Sequence, residues 1–169
     1  MSAIWFSFCS SGLRAFGLAT CVAAGAQQAV ALPPSPFQGF LGNWSGSGQI
    51  VESNGHRESI RCRAEYTEAK DGAALNQAIV CASESFKLDI KSYVEASGES
   101  VQGHWSEAAR DVSGQLTGRV APGRFVGEII APAFTAAISL ISNGRSQAVS
   151  IEPRGGDVSD VRIELRRRG

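Results

Sequence analysis

The sequence holds few residues of the types that bind metals or nucleic acids. Its 169 residues include two histidines and four cysteines, and sixteen basic side chains balance sixteen acidic ones. A chain without a basic surplus has no electrostatic basis for binding nucleic acid or an anionic membrane surface. Because His56 and His104 do not stand at metal-ligand spacing from any cysteine pair, we predict no metal site and no cofactor.

Long apolar runs are also missing. The run AFGLATCVAAGA, which follows Arg14, is about half of the roughly 20 residues that a membrane-spanning helix needs. No acidic residue occurs among residues 1–31. A positive charge, an apolar run and then small residues are typical of a secretory signal peptide. We therefore predict that residues 1–31 are a cleaved signal peptide and that the mature protein does not span the membrane.

Two small-x-small sites place the cleavage after Ala26 or after Ala31. The predicted location is the periplasm or the extracellular space. A lipoprotein is the alternative, because Leu18-Ala19-Thr20-Cys21 resembles a bacterial lipobox. Loss of Arg14 leaves fifteen basic against sixteen acidic side chains, so the mature chain stays close to neutral.

Cysteine usage changes once the leader is removed, because only Cys62 and Cys81 remain. An even pair in an exported protein predicts a disulfide, with two buried free thiols as the alternative. A turn at Asp71-Gly72 would set Cys62 opposite Cys81 and Ala64 opposite Ile79 on one face. A longer loop through residues 70–73 would keep that facing and bring the cysteines into an easier bridging geometry.

After a proline-rich lead at residues 32–40, predicted to be an extended tail, the chain lacks helical periodicity. Short alternating runs separated by turn signals predict about ten strands in one domain, residues 41–169. Each turn sets apolar positions opposite one another. The predicted pairs are Ile50 with Ile60, Trp44 with Tyr66, Val94 with Val101, Ile90 with Trp105, Val120 with Phe125, Leu116 with Ile129, Ile138 with Val149, Ala136 with Ile151, Ile151 with Val161, and Val149 with Ile163.

An open sheet of this size would leave two exposed edges, so we predict closure. The predicted fold is all-β, an antiparallel up-and-down meander barrel of about 8–10 strands, with a two-sheet sandwich as the alternative. Polar residues occupy the opposite strand faces, so an outer-membrane barrel, apolar outside and polar within, is not expected.

Catalytic motifs are absent as well. The Gly42–Gly46 segment does not match the Gly-x-Ser-x-Gly elbow, and strand alternation sends His104 and Glu107 to opposite faces. No paired histidines, phosphate-binding loop or dinucleotide fingerprint occurs. We therefore predict that the protein is not an enzyme.

The segment Gly42-Asn43-Trp44 resembles the Gly-x-Trp signature of lipocalins and their calycin relatives. The resemblance implies that Trp44 closes one barrel end and that an arginine of the last strand, Arg162 or Arg166, packs over it. Such a contact gains cation–π energy of about 0.5–2 kcal/mol.

Two further resemblances concern exported proteins. Three short motifs resemble those of a group of uncharacterised exported alphaproteobacterial proteins. They are Ile60-Arg61-Cys62-Arg63-Ala64, Cys81-Ala82-Ser83 and Gly103-His104-Trp105-Ser106-Glu107. The small barrel with one disulfide also resembles periplasmic metalloprotease inhibitors. That likeness implies that residues 32–38 are a trunk that plugs a protease cleft.

These patterns predict a non-enzymatic exported barrel that binds a small apolar ligand in its interior, since barrels of this size can hold one. The alternatives are a protein-interaction module such as a periplasmic protease inhibitor, or a structural envelope protein whose interior is filled. The predicted wall residues of the ligand site are Phe86, Ile90, Trp105, Phe134 and Ile138.

Overall fold

A computed structural model describes residues 34–85 and 87–169. The predicted signal peptide and its cleavage sites lie outside the described residues, as do Leu32 and Phe86. In the described ranges no helix is both long enough and apolar enough to cross a membrane. The strands are β1 (Gly42–Glu52), β2 (Arg57–Ala69), β3 (Ala74–Ala82), β4 (Lys87–Ser97), β5 (Ser100–Glu107), β6 (Val112–Ala121), β7 (Arg124–Ile130), β8 (Thr135–Ser142), β9 (Ser146–Arg154) and β10 (Val158–Arg167).

The ten strands form a closed antiparallel barrel in simple meander order. Each strand pairs with its neighbours in sequence, and β1 pairs with β10 from Trp44↔Arg167 to Glu52↔Val158. This closure removes both sheet edges, which a sandwich would leave exposed. The prediction of an up-and-down meander barrel is confirmed.

Strand registers were predicted correctly at some turns and displaced at others. The β2–β3, β6–β7 and β9–β10 pairs are as predicted, including Val120↔Phe125 and Val161↔Ile151. The β1–β2, β4–β5 and β8–β9 pairs are displaced by two residues, so that Trp44 lies opposite Ala64 and Ile90 opposite Glu107. A displacement of two keeps every side chain on its predicted face, because strand alternation has a period of two.

Glycine positions within the turns explain two of these displacements. Gly55, at φ +89°, takes the last place of a three-residue loop, Ser53–Gly55, as in a type I turn followed by a bulge. Gly98, at φ +61°, takes the first central place of the β4–β5 turn, so that Ser97 pairs with Ser100. The prediction had placed each turn one residue away from the position that its glycine requires.

The predicted disulfide is confirmed. Cys62 and Cys81 are bonded and lie directly opposite each other, with Cα atoms 4.1 Å apart. The connection between β2 and β3 is the longer alternative, because Ala69 pairs with Ala74 and leaves residues 70–73 as the loop. The cysteines are therefore close partners rather than the wider hydrogen-bonded pair that a two-residue turn would give.

Residues 34–40, here called the plug segment, pack against one end of the barrel. Phe37 and Phe40 are each 2% exposed and belong to the hydrophobic core. Ser35 Oγ donates a hydrogen bond to Gly72 O, and Ser142 Oγ donates one to Gly39 O. The described part of the proline-rich lead is thus docked on the barrel, where an extended tail was predicted, because its two phenylalanines are buried.

Candidate ligand cavity

The barrel interior contains a cavity of about 150 Å³. Its lining is apolar apart from Tyr66 and Gln77, and it includes the disulfide. The residues that line it are Phe37, Phe40, Ile60, Cys62, Tyr66, Leu75, Gln77, Ile79, Cys81, Leu88, Ile90, Val94, Leu116, Phe125, Ile138, Leu140, Val149, Ile151, Val161, Ile163 and Leu165. Every strand except β1 and β5 contributes to this wall, which makes the cavity a property of the barrel as a whole.

The two ends of the cavity differ in exposure. At the plug end, where the plug segment and the β2–β3 and β8–β9 loops meet, Phe37, Phe40, Tyr66, Leu75, Val94 and Leu165 are buried, with Phe125 and Leu140 half-buried. At the opposite end, the loop end, Ile79, Leu88, Ile90, Ile138, Ile151 and Val161 are all half-buried although they face inward. Solvent therefore reaches the cavity wall mainly from the loop end.

Trp44 anchors the plug end. It is 1% exposed, and its Nε1 donates a hydrogen bond of 2.8 Å to Phe40 O in the plug segment. Gln147, also buried, directs its Nε2 toward the same carbonyl at 3.4 Å. These contacts tie the plug segment to β1 and β9, so the core continues from the barrel into residues 37–40.

The arginine above Trp44 is Arg167 rather than Arg162 or Arg166. Its guanidinium carbon lies 5.8 Å from the centre of the Trp44 ring, and the two residues are register partners. Arg166 pairs with Ser45 on the outer face, and Arg162 forms ion pairs there with Asp160 and Glu152. Strand alternation explains why Arg167 reaches Trp44. The inward-facing residues of β10 are odd-numbered, and of the three arginines only Arg167 has an odd number.

The predicted wall residues fall into three groups. Ile90 and Ile138 line the cavity. Trp105 and Phe134 are not among the lining residues and instead pack on each other at the loop end, with ring centres 6.1 Å apart. Phe86 lies outside the described residues. The structure therefore brings together two of the five at the cavity, and the ligand role of all five remains a proposal.

Trp105 presents a buried polar atom without a partner. Its Nε1 has no hydrogen bond in the part of the chain that the structure describes. The indole lies against bare backbone, because a Cβ at Gly114 would stand only 3.0 Å from that nitrogen. A glycine directly opposite the tryptophan in register therefore provides the space that the indole fills.

Tyr66, Gln77 and Ser92 are not among the site residues predicted from the sequence. They are successive register partners across β2, β3 and β4, and they place two hydroxyls and an amide in an apolar interior. Ser92 Oγ donates a hydrogen bond of 2.5 Å to Gln77 Oε1. Gln77 could have been found from sequence, since it alternates with Leu75, Ile79 and Cys81 at positions that face the core.

His104 and Glu107 are on opposite faces of β5, as predicted. His104 is exposed and packs against Tyr93, whereas Glu107 is buried. Burial raises the pKa of Glu107, but the backbone N–H groups of Asp89, Ala109 and Arg110 lower it by more, so the net pKa lies below its usual value. Glu107 therefore holds the β5–β6 loop in place as a carboxylate, and it has no geometry for acid–base work with His104.

One cluster could offer ligands to a cation. Atoms of Glu52, His56 and Glu58 lie within 4.8 Å of one another at the β1–β2 hairpin. Both carboxylates already accept hydrogen bonds, Glu52 from Asn54 Nδ2 and Glu58 from Ser85 N. These bonds satisfy part of the cluster within the protein itself, and exposed acidic groups commonly stand together in this way.

Comparison with known proteins gives structural neighbours only. No protein-family model matches the chain, and no curated protein matches it. Rv2717c from M. tuberculosis superimposes with a TM-score of 0.66 at 13% identity, over 82% of this chain and 100% of that one. The S-type phycobiliprotein lyase CPES from Guillardia theta superimposes with a TM-score of 0.57 at 11% identity, over 79% and 90%.

A third neighbour is a protein of unknown function from the DUF3598 family of Nostoc punctiforme PCC 73102. It superimposes with a TM-score of 0.59 at 12% identity, over 81% of this chain and 50% of that one. At these identities the similarity establishes the fold alone. The three neighbours fit the calycin-like barrel that the Gly-x-Trp segment had indicated.

Proposed function

We propose that the protein is an exported, non-enzymatic β-barrel that binds a small apolar molecule in its interior. The observation that carries this proposal is the cavity of about 150 Å³ with its almost entirely apolar lining. Small-molecule sites are typically concave and apolar, with a few polar groups that set orientation. A cavity of this kind would gain binding energy chiefly from the apolar surface that a ligand buries.

Access to the cavity supports binding rather than mere packing. The half-buried lining residues of the loop end, among them Leu88, Ile90 and Val161, leave apolar surface in contact with solvent. A ligand that covered this surface would remove it from water, which is favourable. The plug end, by contrast, is filled by Phe37 and Phe40, so we assign ligand access to the loop end.

Export is part of the proposal. Residues 1–31 would be the cleaved signal peptide, residues 32–40 the lead and residues 41–169 the barrel domain, located in the periplasm or outside the cell. The Cys62–Cys81 disulfide supports this assignment, because structural disulfides persist mainly in oxidising compartments.

Two other functions have less support. A protease inhibitor would use residues 32–38 as a free trunk, yet Phe37 is buried against the barrel. A structural envelope protein would be expected to fill its interior. An enzyme such as the lyase among the neighbours would need reactive groups in the cavity, and the candidate acid–base pair His104 and Glu107 is split between two faces.

The test is a titration of the mature protein with N-phenyl-1-naphthylamine, an uncharged dye whose emission rises in apolar surroundings. Ile138→Trp should narrow the cavity and weaken dye binding, because Ile138 lines it. Ile141→Trp is the matched control on the same strand, since Ile141 is 49% exposed. Both variants should keep the far-ultraviolet circular dichroism of a β-protein.

Equal dye binding by the two folded variants would place the dye outside the barrel and contradict the proposal. Failure of the unmodified protein to bind this dye, fatty acids, retinoids or haem would remove the ligand-binding function altogether.

A further inference from the structure

Three polar side chains cross the apolar wall near the plug end and form what we call the polar row: Tyr66, Gln77 and Ser92. Tyr66 lies directly opposite Gln77, and Gln77 directly opposite Ser92. Tyr66 and Gln77 both line the cavity. The row therefore gives the cavity a local polar site in surroundings that are otherwise apolar.

The polar row has hydrogen-bonding capacity that the protein does not use. Tyr66 is 3% exposed, and no residue in the described ranges accepts from or donates to its hydroxyl. Ser92 Oγ donates to Gln77 Oε1 and so fixes the Gln77 amide, whose own N–H groups have no partner in those ranges. The fully buried atoms that lack a partner in the described ranges lie elsewhere, so the Tyr66 hydroxyl and the Gln77 amide face the open space of the cavity and can pair with a ligand.

The charge of the wall limits which polar group can pair there. Among the residues that the structure describes, none of those lining the cavity is a lysine, arginine or histidine. An anionic head group at the polar row would be buried without a counter-charge, which is strongly unfavourable. Burial also raises the pKa of the Tyr66 hydroxyl, which keeps it protonated as a hydrogen-bond donor at neutral pH.

The position of the row sets the orientation of a ligand. Tyr66 lies close to the end of β2 beside the plug segment, whereas the half-buried apolar wall lies toward the loop end. A molecule that reached Tyr66 from the loop end would place its polar group innermost and its hydrocarbon along Ile79, Ile90 and Ile138.

Resting on the ligand-binding function proposed above, we propose that the cavity selects uncharged amphipathic molecules. Their single hydrogen-bonding group, such as a hydroxyl or a carbonyl, pairs with Tyr66 and Gln77, and their hydrocarbon chain extends toward the loop end. Carboxylates of the same chain length are rejected.

The experiment compares three probes of equal chain length, 1-octanol, octane and octanoate, by displacement of N-phenyl-1-naphthylamine at pH 8. The expected order of affinity is octanol, then octane, then octanoate. Because one hydrogen bond contributes about 1 kcal/mol net, octanol should bind about five-fold more tightly than octane.

Tyr66→Phe should reduce that preference to about equal affinity for octanol and octane. Tyr93→Phe is the matched control, since Tyr93 is the other tyrosine and its hydroxyl bonds to Glu95 on the outer face. A folded Tyr66→Phe variant that keeps the octanol preference would overturn the inference, as would octanoate binding as tightly as octanol.

The result also separates this inference from the proposed function. If octanol, octane and octanoate bind with equal affinity, the proposed ligand-binding function is retained and only the proposed selectivity is contradicted. Absence of binding by the dye and by all three probes would remove both.

Discussion

The two described tryptophans occupy opposite ends of the barrel in very different surroundings. Trp44, at the plug end, is 1% exposed, donates its Nε1 proton to Phe40 O and lies beneath Arg167. Trp105, at the loop end, is 8% exposed and packs on half-buried Phe134, and its Nε1 has no partner among the described residues. The indole N–H is thus hydrogen-bonded at the plug end, whereas at the loop end it has no partner in the described part of the chain.

Unpaired buried atoms are not confined to the loop end, since Gln147 Oε1 also has no partner in the described part of the chain. The ends differ in part of the apolar wall, which is buried around Trp44 and half-buried around Ile90 and Leu88, whereas Ile50 and Ile60 near the β1–β2 hairpin are buried. We infer that the plug end supplies stability and that the loop end gives up some stability to keep the cavity accessible.

The largest expected effect comes from removing one phenylalanine at each end. Phe40→Ala should lower the free energy of unfolding by about 4 kcal/mol, because a fully buried ring is lost from the core. Phe134→Ala should lower it by about 2 kcal/mol, since that ring is only half-buried. Urea unfolding measures both, and equal losses would contradict the division between the two ends.

A smaller effect is expected from the indole nitrogens alone. Trp44→Phe removes a donor and leaves Phe40 O with only the longer contact from Gln147 Nε2, whereas Trp105→Phe removes an N–H that has no partner in the described ranges. The loss in unfolding free energy should therefore be about 1.5 kcal/mol greater for Trp44→Phe. Thermal unfolding of the two variants provides the measurement, and a greater loss for Trp105→Phe would show that its nitrogen is satisfied.

The smallest effect concerns acid stability. Since the pKa of Glu107 is lowered on folding, its stabilisation is fully present above the ordinary glutamate value of 4.5 and is lost as pH falls through the lower folded value. Glu107→Gln should flatten the fall in stability over that range.

Glu95 provides the comparison at the plug end. Hydrogen bonds from Lys70 and Tyr93 lower its pKa, but the ion pair with Lys70 is exposed and screened by salt. Glu95→Gln should therefore change the acid profile less than Glu107→Gln, most clearly at high ionic strength. The reverse order in urea titrations between pH 6 and pH 3 would contradict this ranking.

Alternation along the strands was sufficient to predict the barrel, the inward faces and the Cys62–Cys81 bridge. It could not set every register, because a slip of two residues returns apolar positions to the same face, as at the β1–β2 and β8–β9 turns. Arg167 could have been identified from its parity with Ile163 and Leu165, which are buried on the same strand.

The candidate site was less predictable than the fold. Apolar residues such as Ile90 and Trp105 give the same pattern whether they line a cavity or fill it, so the sequence could not separate the two. The role of Tyr66 depends on whether its hydroxyl finds a partner, which is a property of packing among three strands. The burial of Phe37 likewise depends on the barrel end that receives it, and the local proline-rich sequence carries no sign of it.

The seam between β1 and β10 has a consequence for how the chain assembles. Every other strand pair is a hairpin between sequence neighbours, whereas Trp44 must find Arg167 near the opposite end of the described chain. Closing so large a loop carries the highest entropic cost, so this pairing is expected to form last. Until β10 is in place the edge of β1 stays open to other chains, and the last strand therefore acts as protection against aggregation during folding.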